Sequence, residues 1–181
     1  MNKTIHEQII CSGFGGQGIM LMGKLLAETG MKAGYNVTWL PSYGAEVRGG
    51  TAHSMTQIKS GEIAAPMISK PTTCIVMNKP SLVKFMGKLD RGRLLIVNTT
   101  LVDKIIEKKS IKIAGLPLTA LALELGNVKT ANMIAIGAYI RLKNVFSLKQ
   151  VIKELKNVLP LKKDTISINE KAIKLGYKYA K

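Results

Sequence analysis

The sequence has few of the residues from which metal sites and base-stacking surfaces are built. Only 5% of its 181 residues are aromatic, which disfavours a surface that stacks single-stranded nucleic acid. Cys11 and Cys74 lie far apart in the sequence. The spacings among Cys11, Cys74 and the two histidines do not match those of zinc or iron–sulfur ligands. We therefore expect no metal site in this chain. We also expect both cysteines to be buried as small apolar residues, without a disulfide, in a reducing compartment.

Acidic residues and long apolar runs are also scarce. No stretch reaches the roughly 20 apolar residues that a membrane span needs, and residues 1–8 contain no signal-peptide core. We therefore expect a cytoplasmic protein that does not enter a membrane.

The acid deficit gives a formal charge of +16, with +2 over residues 1–60, +6 over 61–140 and +8 over 141–181. The late excess predicts either a solvated surface or a docking face for acidic partner subunits. The near neutrality of the first sixty residues and the absence of a nucleic-acid-binding motif argue against binding of nucleic acid.

The apolar content, 46%, is sufficient for one compact domain over residues 1–181. Apolar runs of strand length alternate with segments of helical period, which predicts an α/β fold. The predicted architecture is a Rossmann-like open sheet, mostly parallel, with flanking helices and a helical C-terminal part. Strands are predicted at 5–11, 36–40, 51–59, 73–77, 94–98 and 111–114, and helices at 16–33, 80–88, 117–125 and 130–142. Pro41 is predicted to end the second strand.

Two further helices are predicted near the C-terminus from capping boxes. Ser147 is followed three residues later by Gln150, and Ser167 is followed three residues later by Glu170. In this arrangement the serine and the Gln or Glu bond each other's backbone N–H groups at the start of a helix.

A glycine-rich motif follows the first strand and opens the first helix. Its residues are Gly13, Phe14, Gly15, Gly16, Gln17 and Gly18, in the pattern G-x-G-x-x-G. Such glycines allow the backbone to approach a diphosphate at a helix N-terminus. The acidic residue that binds the ribose in dinucleotide-binding proteins is missing, because residues 37–41 read Val-Thr-Trp-Leu-Pro. The motif alone leaves three possibilities open: a nicotinamide or flavin site, a site for another phosphate-bearing ligand, and a tight turn without a ligand.

A second polar segment follows the second strand. Its candidate binding residues are Ser42, Tyr43, Glu46, Arg48, Gly49, Gly50 and Thr51. Hydroxyls, a carboxylate and a guanidinium between glycines suit a polar ligand, and Arg48 could clamp a phosphate or carboxylate through two hydrogen bonds. The alternative is a structural loop with an ion pair between Glu46 and Arg48. We expect the second strand to lie beside the first, so that this segment adjoins the glycine motif.

Catalytic side chains are not recognisable. The sequence has no Ser/His/Asp set, no G-x-S-x-G motif, no P-loop lysine and no paired carboxylates on one helix face. His53 beside Ser54 is typical of a half-exposed strand residue and not of a general base. We therefore assign no catalytic residue and predict a subunit that binds and positions, with the reacting centre supplied elsewhere.

At these motifs the sequence resembles the gamma subunits of the 2-oxoacid:ferredoxin oxidoreductases, in particular the 2-oxoglutarate type (2-oxoglutarate synthase). The matching parts are the glycine motif, residues 41–51, residues 124–127 with Asn132 and Met133, and the group Asn169, Ala172, Leu175 and Gly176. They span nearly the whole chain in the family's order. His53 and Ser54 depart from the family, whose members commonly carry Asn and Cys there, so no family role is transferred to them.

The resemblance implies a complex of several chains. Alpha and beta subunits would hold thiamine diphosphate with Mg and the oxoacid, and iron–sulfur clusters on partner subunits would pass electrons to ferredoxin. A ferredoxin-like delta subunit is a further candidate partner, so the complex has three or four subunit types. This chain would hold no cofactor alone, and the glycine motif, the second polar segment and Asn132 would contribute to binding coenzyme A as co-substrate. Coenzyme A has a diphosphate but no free ribose diol, which suits a glycine motif without the ribose-binding acid.

Two other functions stay open from the sequence. A stand-alone Rossmann-type nicotinamide-binding reductase would also use the glycine motif. The small subunit of indolepyruvate:ferredoxin oxidoreductase is the family member most easily confused with this chain, although the Ser-Tyr-Gly-Ala-Glu stretch at residues 42–46 favours the 2-oxoglutarate type. The sequence does not identify the oxoacid, because the substrate pocket is expected mostly on other chains.

Overall fold

A six-stranded sheet forms the centre of the computed structural model, which describes residues 4–42, 51–105, 108–160 and 162–180. The strands are β1 His6–Phe14, β2 Asn36–Ser42, β3 Thr51–Lys59, β4 Thr73–Val76, β5 Leu94–Asn98 and β6 Lys112–Leu116. Their order across the sheet is β2-β3-β1-β4-β5-β6. β1, β4, β5 and β6 are parallel neighbours, whereas β3 is antiparallel to both β1 and β2. The predicted α/β fold with an open, mostly parallel sheet is confirmed.

Six α-helices lie in the described parts of the chain. They are α1 Ile19–Lys32, α2 Lys79–Phe85, α3 Leu118–Glu124, α4 Ala131–Lys143, α5 Leu148–Val158 and α6 Lys163–Tyr179, with short 3-10 turns at Met86–Lys88 and Val128–Thr130. Ser147 and Gln150 form the predicted capping box at the start of α5. The predicted helical character of the C-terminal part is confirmed, because α4, α5 and α6 follow one another there.

The sheet separates two apolar cores. On one face, Ile9 of β1 belongs to the same core as Met22 of α1 and the buried side chains of α4. On the other face, Ile10 belongs to the same core as Leu82 and Phe85 of α2. Neighbouring residues of β1 thus point to opposite sides, as the two-residue period of a strand requires. The helix that follows β1 and the helix that follows β4 therefore lie on opposite faces of the sheet.

α4 and α6 pack with their backbones in direct contact. A β-carbon added at Gly137 would overlap the carbonyl oxygen of Ile173, and one added at Gly176 would overlap the carbonyl oxygen of Ile134. Every residue from 131 to 140 in α4 is buried, as expected for a helix that is apolar on all sides. This packing fixes the position of α4, which carries Asn132 at its first turn.

Three local predictions are wrong. β2 continues through Pro41, because β2 is an edge strand and the missing N–H of a proline is tolerated there. Ser167 does not cap a helix, because α6 begins four residues earlier at Lys163, with Asp164 in its first turn, where a carboxylate is favourable. β2 does not lie beside β1, because the antiparallel β3 is inserted between them.

Candidate functional site

The glycine motif forms the end of β1 and a tight turn into α1. Gly13 and Phe14 belong to β1, and Gly18 caps α1 in the left-handed region at φ 70°. The side-chain oxygen Oε1 of Gln17 accepts a hydrogen bond from the Phe14 N–H at 2.7 Å, and the Gln17 N–H donates to the Phe14 carbonyl at 3.3 Å. Gln17 therefore closes the turn, and its Oε1 already has a partner.

The turn exposes its backbone to solvent on one side and is tightly packed on the other. Gly15 and Gly16 are exposed, and nothing lies within 4 Å of a β-carbon built at Gly16. At Gly13, by contrast, a β-carbon would lie 2.5 Å from Oε1 of Gln17 and 2.9 Å from Cβ of Met77. The exposed side offers bare backbone at the start of a helix, which is what a diphosphate-binding turn requires.

Asn132 of α4 supports the turn from inside the protein. Its side chain is buried, its Nδ2 donates to the Gly18 carbonyl at 3.3 Å, and its Oδ1 accepts from the Met133 N–H at 2.8 Å. A β-carbon at Gly18 would overlap Nδ2 of Asn132. The structure thus places Asn132 beneath the turn, where both ends of its amide group have protein partners.

The turn lies at the carboxyl edge of the sheet, between β1 and β4. The Met77 N–H, just after β4, donates to the Ser12 carbonyl of β1 at 2.8 Å, so the two strand ends are adjacent. α1 leaves β1 toward one face, and α2 leaves β4 toward the other. In open α/β sheets, ligands bind in the crevice where neighbouring strands send their helices to opposite faces. The glycine turn occupies this crevice.

Part of the second polar segment reaches the same edge. Thr51 pairs with Phe14 of β1, and Ser42 pairs with His53 of β3. Ser42 is one strand further from the glycine turn than expected, because β3 lies between β1 and β2. The remaining candidates of this segment, Tyr43, Glu46, Arg48, Gly49 and Gly50, lie outside the described residues, and their roles stay predictions.

A lysine that no sequence motif marks lies next to Thr51. Lys84 of α2 places its Nζ 3.3 Å from the Thr51 hydroxyl and 5.6 Å from the centre of the Phe85 ring. His53 packs on the same ring, with 5.1 Å between the ring centres. Burial, and then the positive charge of Lys84, lower the pKa of His53. This corner of the site therefore combines a cationic lysine with an imidazole that favours the neutral form.

The two cysteines are free and buried on neighbouring strands. Cys11 lies in one apolar core and Cys74 in the other. Burial raises the pKa of both thiols, that of Cys74 to about 12, so both stay protonated and unreactive. The prediction of two buried, unpaired cysteines is confirmed.

The described ranges contain neither a cluster of metal-ligating side chains nor a helix suited to span a membrane. No group of three or more His, Cys, Asp or Glu side chains there is placed to hold a metal ion. None of the helices in those ranges combines the length and the apolar content of a membrane span.

Known proteins are similar in sequence to this chain over most of its length. Residues 8–179 match the family described as pyruvate ferredoxin/flavodoxin oxidoreductase. The 2-oxoglutarate synthase subunit KorC of Methanocaldococcus jannaschii is 31% identical over an alignment of 190 positions, gaps included, that covers 100% of this chain and 99% of that protein. The ketoisovalerate oxidoreductase subunit VorA of Methanothermobacter marburgensis is 32% identical over 131 residues, 72% of this chain. The chain spans only 27% of that VorA subunit and 35% of the one from Methanothermobacter thermautotrophicus.

Solved structures share the fold. The gamma subunit of a keto/oxoacid ferredoxin oxidoreductase from Geobacter sulfurreducens superposes with a TM-score of 0.82 at 26% identity, covering 95% of this chain and 96% of that one. The 2-oxoglutarate:ferredoxin oxidoreductase from Magnetococcus marinus, solved with 2-oxoglutarate, coenzyme A and succinyl-CoA bound, matches at 22% identity with a TM-score of 0.82. There the match covers 97% of this chain and 31% of that one. The resemblance seen in the sequence is thereby confirmed, and the chain belongs to the pyruvate ferredoxin/flavodoxin oxidoreductase family.

Proposed function

We propose that this chain is the gamma subunit of a 2-oxoacid:ferredoxin oxidoreductase and that its glycine turn contributes to binding coenzyme A. The complex would decarboxylate 2-oxoglutarate oxidatively to an acyl-CoA and CO2, with reduction of ferredoxin. The observation that carries the proposal is the exposed glycine turn in the crevice between β1 and β4. The full-length match to a 2-oxoglutarate synthase subunit supports 2-oxoglutarate as the oxoacid.

The geometry favours coenzyme A over a nicotinamide dinucleotide. Nicotinamide-binding folds carry their ribose-binding acid at the end of a parallel strand beside the first strand. Here β1 lies between the antiparallel β3 and the parallel β4, and β4 and the two residues after it, 73–78, contain no acid. Residues 37–41 of β2 contain none either. Coenzyme A needs a diphosphate cradle without this acid, together with positive charge for its 3′-phosphate. Lys84 beside Thr51 supplies such a charge, and Arg48 is predicted to supply another.

The proposal assigns the redox chemistry to other chains. Thiamine diphosphate, Mg and the iron–sulfur clusters belong to the alpha and beta partner subunits and to a ferredoxin-like delta subunit where one is present. In this scheme residues 1–181 act as one gamma-type domain in the cytoplasm, without catalytic residues of their own. The gamma subunit contributes to the binding of coenzyme A and to the assembly of the complex.

A charge placed in the glycine turn tests the proposal. Gln17→Glu keeps an oxygen that can accept from the Phe14 N–H but adds a negative charge where the diphosphate would lie. In a complex reconstituted with its alpha and beta subunits, we expect the KM for coenzyme A to rise about tenfold, equivalent to roughly 1.4 kcal/mol. The KM for 2-oxoglutarate should not change.

The matched control is Gln150→Glu in the capping box of α5, where the same side chain accepts from the Ser147 N–H at 2.8 Å. It makes the same change at another helix start and should leave both KM values unchanged. A folded Gln17→Glu variant with an unaltered KM for coenzyme A would exclude the turn as the site. Oxoacid-dependent dye reduction by the isolated chain would contradict the gamma-subunit assignment. Comparison of 2-oxoglutarate, 2-oxoisovalerate and indolepyruvate in the same complex decides the oxoacid.

A further inference from the structure

An open groove runs along β6 on the sheet face that carries α4 and α6. Its volume is about 1220 Å³, and its apolar lining includes Leu94, Leu116, Leu142 and Leu175. We call it the β6 groove. β6 is an edge strand, and the connection from β5 to β6 contains no helix in its described residues, 99–105 and 108–111. This part of the sheet therefore lacks a crossover helix of its own to cover it.

β6 gives the floor of the groove the length of a short helix. The five residues of β6 span roughly 16 Å at about 3.3 Å per residue. Ten residues of helix are roughly 15 Å long, which matches the length of β6.

Basic side chains border the apolar floor. Lys112, Lys143 and Lys178 line the groove, and the one carboxylate in its described lining is that of Glu7. Glu7 already pairs with Lys143 at 2.8 Å and accepts from the Thr72 hydroxyl at 2.8 Å. Lys112 and Lys178 are exposed, and neither forms an ion pair within the described part of the chain. The groove thus has an apolar floor, and the positive charges of Lys112 and Lys178 at its border have no acidic partner in the described part of the chain.

We infer that the β6 groove docks an acidic, amphipathic helix of a partner subunit of the complex, an inference that rests on the proposed function. The apolar stripe of such a helix would cover the floor, and its carboxylates would meet Lys112 and Lys178. A second copy of this chain is a poor occupant, because two chains of charge +16 repel each other. In the VorA subunits the matched segment is only 27–35% of a longer chain, which supports further protein as the neighbour of this domain.

Charge reversal tests the inference without disturbing the core. We expect Lys112→Glu combined with Lys178→Glu to weaken binding to the purified alpha and beta subunits at least tenfold at low salt. The matched control combines Lys149→Glu with Lys153→Glu, two exposed lysines of α5 outside the groove lining, and makes the same change in net charge. It should alter the dissociation constant by less than about twofold. Thermal melting of both double variants establishes that each is folded.

Two further measurements locate the contact. Ala114→Trp fills the groove from β6 without changing the charge and should also weaken binding about tenfold. Because Cys11 and Cys74 are buried, Lys112→Cys offers a single reactive thiol for a crosslinker, and we expect it to react with an acidic helical segment of a partner subunit, identified by mass spectrometry.

The outcomes are distinguishable. Equal affinities of the two charge-reversal variants would overturn the docking inference and leave the gamma-subunit assignment intact. A wild-type chain that binds no alpha or beta subunit would overturn both. Self-association of the wild-type chain in sedimentation, abolished by Ala114→Trp, would replace the partner helix by a second copy and so overturn the inference.

Discussion

Replacing Gly18 by alanine tests how the glycine turn is coupled to α4. At φ 70° an L-residue costs about 1–2 kcal/mol. The new β-carbon also overlaps Nδ2 of Asn132, whose displacement removes its hydrogen bond to the Gly18 carbonyl, a loss of about 1 kcal/mol. We therefore expect Gly18→Ala to lower the free energy of unfolding by about 2–3 kcal/mol.

Gly16→Ala isolates the backbone contribution. Gly16 has φ 87°, but nothing lies within 4 Å of its β-carbon position, so only the conformational cost of about 1–2 kcal/mol applies. Asn132→Ala removes the amide that obstructs a side chain at position 18. Because each single substitution breaks the same hydrogen bond, the double variant with Gly18→Ala should cost about 1 kcal/mol less than the sum of the two.

Urea unfolding measures these free energies, with the single Trp39 on β2 as a fluorescent probe. The expected order of stability is wild type, then Gly16→Ala, then Gly18→Ala. If Gly18→Ala costs no more than Gly16→Ala, or if the costs of Gly18→Ala and Asn132→Ala are additive, Asn132 does not support the turn.

Helix capping and histidine protonation give two further tests. Ser147→Ala removes the cap of α5 and should cost about 1 kcal/mol in urea unfolding, whereas Ser167→Ala inside α6 should change stability by less than about 0.5 kcal/mol; equal costs would contradict the assigned start of α6. The pKa of His53 is lowered from 6.5 by folding, so below pH 6.5 the unfolded chain binds more protons than the native one, and stability falls as the pH falls. Acidification from about pH 7.5 to about pH 5 should therefore lower the melting temperature of wild type more than that of His53→Gln, and equal decreases would contradict a lowered pKa.

Local patterns in the sequence located most of the secondary structure. β3 and β5 have the predicted bounds, because an apolar or alternating run between turn residues is typical of a strand. The Ser147 capping box was also predicted correctly. The same pattern predicted a helix start at Ser167, but α6 begins one turn earlier at Lys163. A pattern of four residues carries no information about the packing that extends the helix.

The candidate site was only partly predictable. The glycine motif could be recognised because a turn with positive φ at Gly16 and Gly18 leaves a visible pattern of glycines. The family resemblance identified Asn132 as a candidate residue, but only the structure shows that its Nδ2 donates to the Gly18 carbonyl. Lys84 could not be predicted, because Thr51, its neighbour, comes from a strand 33 residues earlier in the chain.

The sequence by itself determined the α/β alternation, the glycine turn and the family, because each of these is recorded in the spacing of nearby residues or in a short motif. Only the tertiary structure decided which segments became neighbours. It inserted β3 between β1 and β2, and it placed Asn132 beneath Gly18 across a separation of 114 residues. It also left the face of β6 open as a groove bordered by lysines. These features depend on how helices and strands pack across the sheet, and the spacing of residues along the chain does not specify that packing.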